Sequence, residues 1–216
     1  MRRATVVAVL LSVAACSRRD SSTRDSSTRD SLPRANVRTD SAPVQAPRAT
    51  TKPDTVVSLS TVFTLSSSAF QNGDSIPRDY TCDGANRSPP LAWPAAPPRT
   101  AAYALIVEDP DAPSGTFIHW VLYDLPGGTA SLPEGLPKDG ILSQLGGARQ
   151  GRTSFGSVGY GGPCPPRGPA HHYHFRLVAL DARLGLPAGA TRDEVVAAMH
   201  GHELGRAELV GLYARR

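Results

Sequence analysis

Ala104-Leu-Ile-Val-Glu-Asp-Pro-Asp-Ala-Pro-Ser-Gly-Thr-Phe-Ile-His-Trp-Val-Leu-Tyr-Asp124 is the stretch that decides how this chain folds. Two β-type apolar runs, Tyr103–Val107 and Phe117–Tyr123, flank a short polar turn. Pro110 and Pro113 fix their own φ and push Asp109 and Ala112 into extended conformations, and Gly115 lets the chain turn back. The reading is strand, rigid loop, strand. The loop carries Asp109 and Asp111, and the returning strand delivers His119. Hairpin geometry is expected to bring an Asp close to that imidazole, a common functional pairing. The same two carboxylates also read as simple caps of the turn.

Toward the N-terminus the composition changes twice. Residues 1–16 read as a targeting segment: Arg2 and Arg3 precede a short apolar core, Val6–Val13, and small residues lead to Cys16. The apolar run falls short of the roughly 20 residues that span a bilayer, so a cleaved signal peptide is expected. A cysteine at that point resembles the lipobox of bacterial lipoproteins, which implies lipidation of Cys16 and anchoring at about 0.8 kcal/mol per buried CH2. An ordinary secretory signal is the alternative. Residues 17–57 repeat Arg-Asp-Ser-Ser-Thr and add prolines, with almost no large apolar side chain. Such a segment cannot offset its ordering entropy and reads as a disordered tether between membrane and domain. This places the remaining chain, residues 58–216, outside the cytoplasm, as one domain of ordinary size.

Removing the leader and tether changes the electrostatics. Residues 58–216 hold 13 Lys and Arg against 14 Asp and Glu, so the whole-chain charge of +4 belongs to residues 1–57. A basic footprint for nucleic acid is missing from the domain. No nucleic-acid partner is expected.

Within the domain, Val56–Leu65 alternates apolar and polar positions as a first strand should. Leu91 and Trp93 mark a short strand after a turn-rich loop. Residues 126–169 are dominated by Gly and Pro, and so long an irregular stretch is usually functional or ordered by its own packing. His171–Asp181 reads as a strand whose period of two puts His171, Tyr173, Phe175, Leu177 and Ala179 on one face. His172 and His174 then share the opposite, more solvated face with Arg176. Thr191-Arg-Asp-Glu194 is a capping box opening a helix through Met199. Gly201 and Gly205 break that pattern, and Ala207–Tyr213 reads as a last strand. The domain is mainly β.

Three ordered motifs carry a resemblance. They are Tyr80-Thr-Cys-Asp-Gly-Ala-Asn-Arg-Ser-Pro-Pro-Leu-Ala-Trp93, Asp109-Pro-Asp-Ala-Pro113 with His119-Trp120, and Gly159-Tyr-Gly-Gly-Pro-Cys-Pro-Pro166 with His171-His-Tyr173. Over residues 58–216 the chain resembles the phosphatidylethanolamine-binding protein family, in its bacterial Raf-kinase-inhibitor-like branch. The resemblance implies a sandwich of antiparallel sheets with small peripheral helices and long ordered loops. It also implies a small anion pocket for phosphate-type groups, formed by Asp109, Asp111, His119, Gly162, His171 and Tyr173, with Pro113 and Pro165 shaping the wall. No extended lipid-like groove is recognisable, so lipid specificity is not implied.

The residue chemistry suits that expectation. Imidazole N–H, phenol O–H and loop backbone N–H groups are the donors a phosphate needs. Neighbouring aspartates would repel a bare dianion, so a protonated or zwitterionic ligand, such as a headgroup, is expected to bind, and weakly. Cys82 and Cys164 fall in two of the motifs. In an extracytoplasmic protein they read either as a disulfide or as two buried thiols near the pocket, and the second reading is preferred here. No cofactor is called for. The rival readings are a modulator of a kinase- or protease-type protein partner, and a hydrolase binding metal through Asp109, His119 and His171. A compact metal-binding signature is missing from the sequence, as is a Gly-x-Ser-x-Gly elbow, so binding rather than catalysis is expected.

Overall fold

The computed structural model describes residues 62–94 and 96–215. The signal-peptide and tether readings, and most of the proposed first strand, lie outside the described residues.

Among the described residues, eight strands and one α-helix, with two single-turn 3-10 helices, make up the fold: β1 (Leu91–Ala92), β2 (Ala102–Asp109), β3 (Phe117–Pro126), β4 (Ser131–Leu132), β5 (Ile141–Leu142), β6 (Ala148–Gln150), β7 (His171–Leu180), α1 (Arg192–Met199) and β8 (Glu203–Tyr213). One six-stranded sheet has the order β5-β6-β3-β2-β7-β8, and β1 pairs with β4 in a small second sheet. Every strand pair is antiparallel. The architecture is mainly β, as expected.

Strand β2 is buried along its whole length, which is why it reads as a continuous apolar run rather than an alternating one. Tyr103, Leu105 and Val107 pack on one face with Trp120, Leu122, Tyr173, Phe175, Leu177 and Trp93. Ala104 and Ile106 pack on the other with Val121, Tyr123, Val178, Val195 and Met199. The sheet is therefore an inner layer with a large aromatic core on one side and a smaller aliphatic core, covered by α1, on the other. The capping box of α1 is formed: Thr191 accepts from the Glu194 amide, and Glu194 accepts from the Thr191 amide.

Two sequence expectations change. Val62–Leu65 is not strand; the segment touches β structure only at Ser66, which exchanges two 2.9 Å backbone hydrogen bonds with Ala92. Its alternation has a packing origin, because Leu65 is buried and Phe63 stacks on Tyr103 at 6.1 Å while Val62 faces solvent. Gly205 does not end a pattern but lies inside β8, which starts at Glu203. A Cβ at position 205 would come within 2.9 Å of the Pro97 ring, so the close approach of that segment excludes a side chain.

The Gly- and Pro-rich stretch 126–169 is ordered by short pieces of sheet, β4, β5 and β6, and by specific staples to the rest of the domain. Cys82 and Cys164 are joined by a disulfide, correcting the preference for free thiols. The Cys82 amide also donates to Pro163 O at 3.1 Å, and the Tyr160 hydroxyl donates to Tyr80 O at 2.7 Å. These contacts hold the two cysteines against each other, a proximity invisible in a separation of 82 residues.

Candidate functional site

Three elements meet at one end of the sheet. β2 ends with Asp109, on the same face as Tyr103, Leu105 and Val107 because side chains alternate along a strand. β7 begins with His171 on that face. His119 arrives by a different route. Val107 pairs with Trp120 and Glu108 with Ile118, so His119 is the extra residue of a bulge in β3. A bulge redirects side chains, and here it lets His119 and Trp120 face the same side. His119 is buried, edge-on to Tyr173 at 5.1 Å between centroids.

The hydrogen bonds define the charges and tautomers. Asp109 Oδ1 accepts from the Asp111 amide at 2.9 Å, an Asx-type turn, and Oδ2 accepts from His171 Nδ1 at 2.8 Å. The Asp–His pair expected within the hairpin is thus made with His171 of β7 and not with His119. His119 Nδ1 lies 2.7 Å from Gly161 O, and a carbonyl only accepts, so this nitrogen carries the hydrogen. Burial holds the His119 pKa below its ordinary value, opposed by the Gly161 carbonyl and by the Asp109 charge. In both rings Nδ1 is committed to the protein, leaving Nε2 for a ligand.

His119, His171 and Asp109 line a cavity of about 230 Å³ together with Pro113, Pro165, Phe117, Phe155 and Cys164. Tyr173, packed behind His119 and fully buried, does not line the cavity, and its hydroxyl has no partner within hydrogen-bond geometry among the described residues. Burial first, then the Asp109 charge and the approach of the hydroxyl to the Asp109 carboxylate, raise the Tyr173 pKa, so the group stays a phenol and a donor.

The remaining expected site residues stand elsewhere. Asp111 is exposed and turned away from the cavity: its Oδ2 accepts from the His172 amide at 2.8 Å and from His172 Nδ1 at 2.7 Å. Its backbone amide, by orienting Asp109, is its link to the cavity. Gly162 is buried, and its amide donates to Asn86 Oδ1 at 2.7 Å, while the Gly161 amide donates to His119 O at 2.8 Å. These loop amides are consumed by the protein and do not face a ligand, a correction to the expected donor set. Gly162 is required for a steric reason, since a Cβ there would meet Tyr80 O at 2.5 Å. The metal reading finds no cluster of three or more His, Cys, Asp or Glu ligands among the described residues.

Sequence reasoning missed Phe155, Phe117 and Asn86. Phe155 stacks edge-on against Phe117 at 4.7 Å and His119 at 5.4 Å, forming an aromatic lip that is about half exposed. Its Gly-rich surroundings give no periodicity from which to place it. Asn86, in the left-handed region at φ 53°, could have been suspected only as a turn former.

Related proteins share this framework. The family model for phosphatidylethanolamine-binding protein matches residues 66–214. A UPF0098 protein of Aquifex aeolicus is 47% identical over 156 residues, covering 71% of this chain and 90% of that one. A Mycobacterium tuberculosis protein described as a lipoprotein, LppC, is 38% identical over 174 residues, covering 79% and 82%. Among solved structures, a phosphatidylethanolamine-binding protein homologue from Chlamydia trachomatis is 38% identical with a TM-score of 0.66, covering 73% of this chain and all of that one (100%). With matched motifs, matched fold and a family model spanning the described domain, the chain belongs to the phosphatidylethanolamine-binding protein family.

Proposed function

We propose that the cavity at Asp109, His119 and His171 binds a phosphate-type group of a small ligand, such as a phospholipid headgroup, without transforming it. The observation that carries this reading is the convergence of two imidazoles whose Nδ1 atoms are both held by the protein, beside a buried phenol with an unused O–H. A phosphate oxygen offers an acceptor to a protonated Nε2. A neutral His119 offers a lone pair, matching a P–OH better than a bare oxygen. The Asp109 carboxylate disfavours a second negative charge. Together these groups select a monoanionic or zwitterionic phosphate, held weakly and more tightly as pH falls.

Anchoring through a lipid on Cys16 is part of the same proposal. It is supported by the lipobox-like sequence, by the resemblance to a mycobacterial protein described as a lipoprotein, and by the disulfide, which persists in oxidising compartments. The protein would then sample headgroup-like molecules outside the cytoplasm. Phe155, exposed at the lip, is the one observation favouring a protein partner docked over the cavity.

Calorimetric titration of the full-length protein with phosphoethanolamine tests the binding reading. Saturable binding that weakens in His119→Ala and His171→Ala is expected; unchanged affinity in both variants would reject it.

A further inference from the structure

A second cavity, of about 320 Å³, opens on the opposite face of the sheet, between α1 and strands β2, β7 and β8. It rests on no part of the anion reading. Its floor is aliphatic, made by Ile106, Val178, Val196 and Met199. Its walls carry three arginines and three glutamates. Arg176 pairs with both Glu108 and Glu208, and Arg206 pairs with Glu203. The lining is therefore electroneutral, and a ligand with net charge would leave one charge unmatched in a partly desolvated cleft.

Two buried atoms in this cavity lack a direct hydrogen bond. Glu108 has a buried side chain, and its Oε2 has no hydrogen-bond donor among the described residues. Arg192 Nε is likewise buried without a hydrogen-bond acceptor; it forms an ion pair with Glu108 Oε2 at 3.6 Å, too long for a direct hydrogen bond between them. Buried orphan groups of this kind are uncommon in folded proteins and carry a desolvation cost. A single hydroxyl placed beside the pair would satisfy both, donating to Oε2 and accepting from Nε–H.

We propose that this cavity is a second binding site, for a small uncharged amphiphile with an apolar body and a hydroxyl. The body packs on Ile106, Val178, Val196 and Met199, and the hydroxyl bridges Glu108 and Arg192. The volume is at the low end of the range small-molecule sites occupy, which limits the ligand to a short chain or a single ring.

The chain contains two methionines, Met1 and Met199, so isotope labelling of methionine methyl groups gives one reporter inside the cavity. Full-length labelled protein is titrated with benzyl alcohol and, separately, with toluene. The expected result is a saturable shift of the Met199 methyl with benzyl alcohol, and about tenfold weaker binding of toluene, which lacks the bridging hydroxyl. Val196→Phe, which fills the apolar floor, is expected to abolish the shift. Dispersed amide signals in that variant would show that it still folds. No saturable shift with either probe, equal affinity for the two, or an unchanged shift in Val196→Phe would overturn the proposal; a cavity holding only water gives the first of these.

Discussion

Asp109–His171 and Asp111–His172 are the same kind of pair, with aspartates two positions apart and histidines adjacent on β7, at 2.8 and 2.7 Å. They differ in where they stand. The side chains of the first pair are 4% and 13% exposed, and those of the second 43% and 54%. The alternation of β7 sends His171 into the aromatic face and His172 to solvent. Asp109 is a buried anion with both oxygens occupied, next to a cavity and an unpartnered phenol. Asp111 is a surface carboxylate whose charge water already screens. Short distance between an acid and a histidine does not make a site. Burial and the groups around the pair do.

The largest effect expected here concerns what holds the cavity in place. Replacing Cys82 and Cys164 with serine opens a loop of 82 residues and is expected to lower stability by about 4 kcal/mol on the chain-entropy account, read from urea denaturation. The same variant is expected to weaken ligand binding, because Cys164 is part of the cavity wall. Next, Asp109→Ala removes one partner of a buried pair and is expected to cost about 3 kcal/mol, whereas Asp111→Ala is expected to cost less than about 1 kcal/mol. Equal costs would erase the distinction between the two pairs.

Binding sharpens it further. His171→Ala is expected to weaken phosphoethanolamine binding by more than about tenfold, because a hydrogen bond to a charged group is lost, while His172→Ala stays within about twofold. Acid sensitivity gives the smallest signals. The His119 pKa is lowered in the folded protein, so below the unfolded value of about 6.5 the unfolded chain takes up a proton that the folded chain refuses. Stability is therefore expected to fall as pH drops from about 6.5, and His119→Phe is expected to flatten that slope in denaturation curves. The Asp111 pKa is lowered by the side-chain and backbone hydrogen bonds from His172. Its contribution is present above the unfolded value of about 3.9 and lost as pH falls below it, so Asp111→Asn is expected to lower stability slightly at neutral pH and to make progressively less difference in acid.

Much of this was legible in the sequence. The apolar runs around Asp109-Pro-Asp-Ala-Pro113 became β2 and β3, the capping box became α1, and the period of two placed His171 with Tyr173 and apart from His172. Local pattern suffices for those features because each depends on neighbours in sequence. What stayed hidden depends on pairing. The bulge at His119 exists only in the register of β3 against β2, and nothing in Phe-Ile-His-Trp announces it. The disulfide and the use of the Gly162 amide arise from packing the loop against residues 80–86, some 80 positions earlier in the chain, and the Gly161 amide is taken by the His119 carbonyl of β3. The alternation of residues 62–65 was a true burial signal, but burial by packing and burial in a ladder share the same pattern.

On the proposed function, the cavity side of β7, and not its solvent side, meets a phosphate-type ligand. Nitrogen NMR of histidine-labelled full-length protein, titrated with phosphoethanolamine, tests it most directly. The Nε2 signals of His119 and His171 are expected to shift together and saturate, while those of His172 and His174 stay in place. Shifts of equal size at His172, or none at His119 and His171, would contradict it.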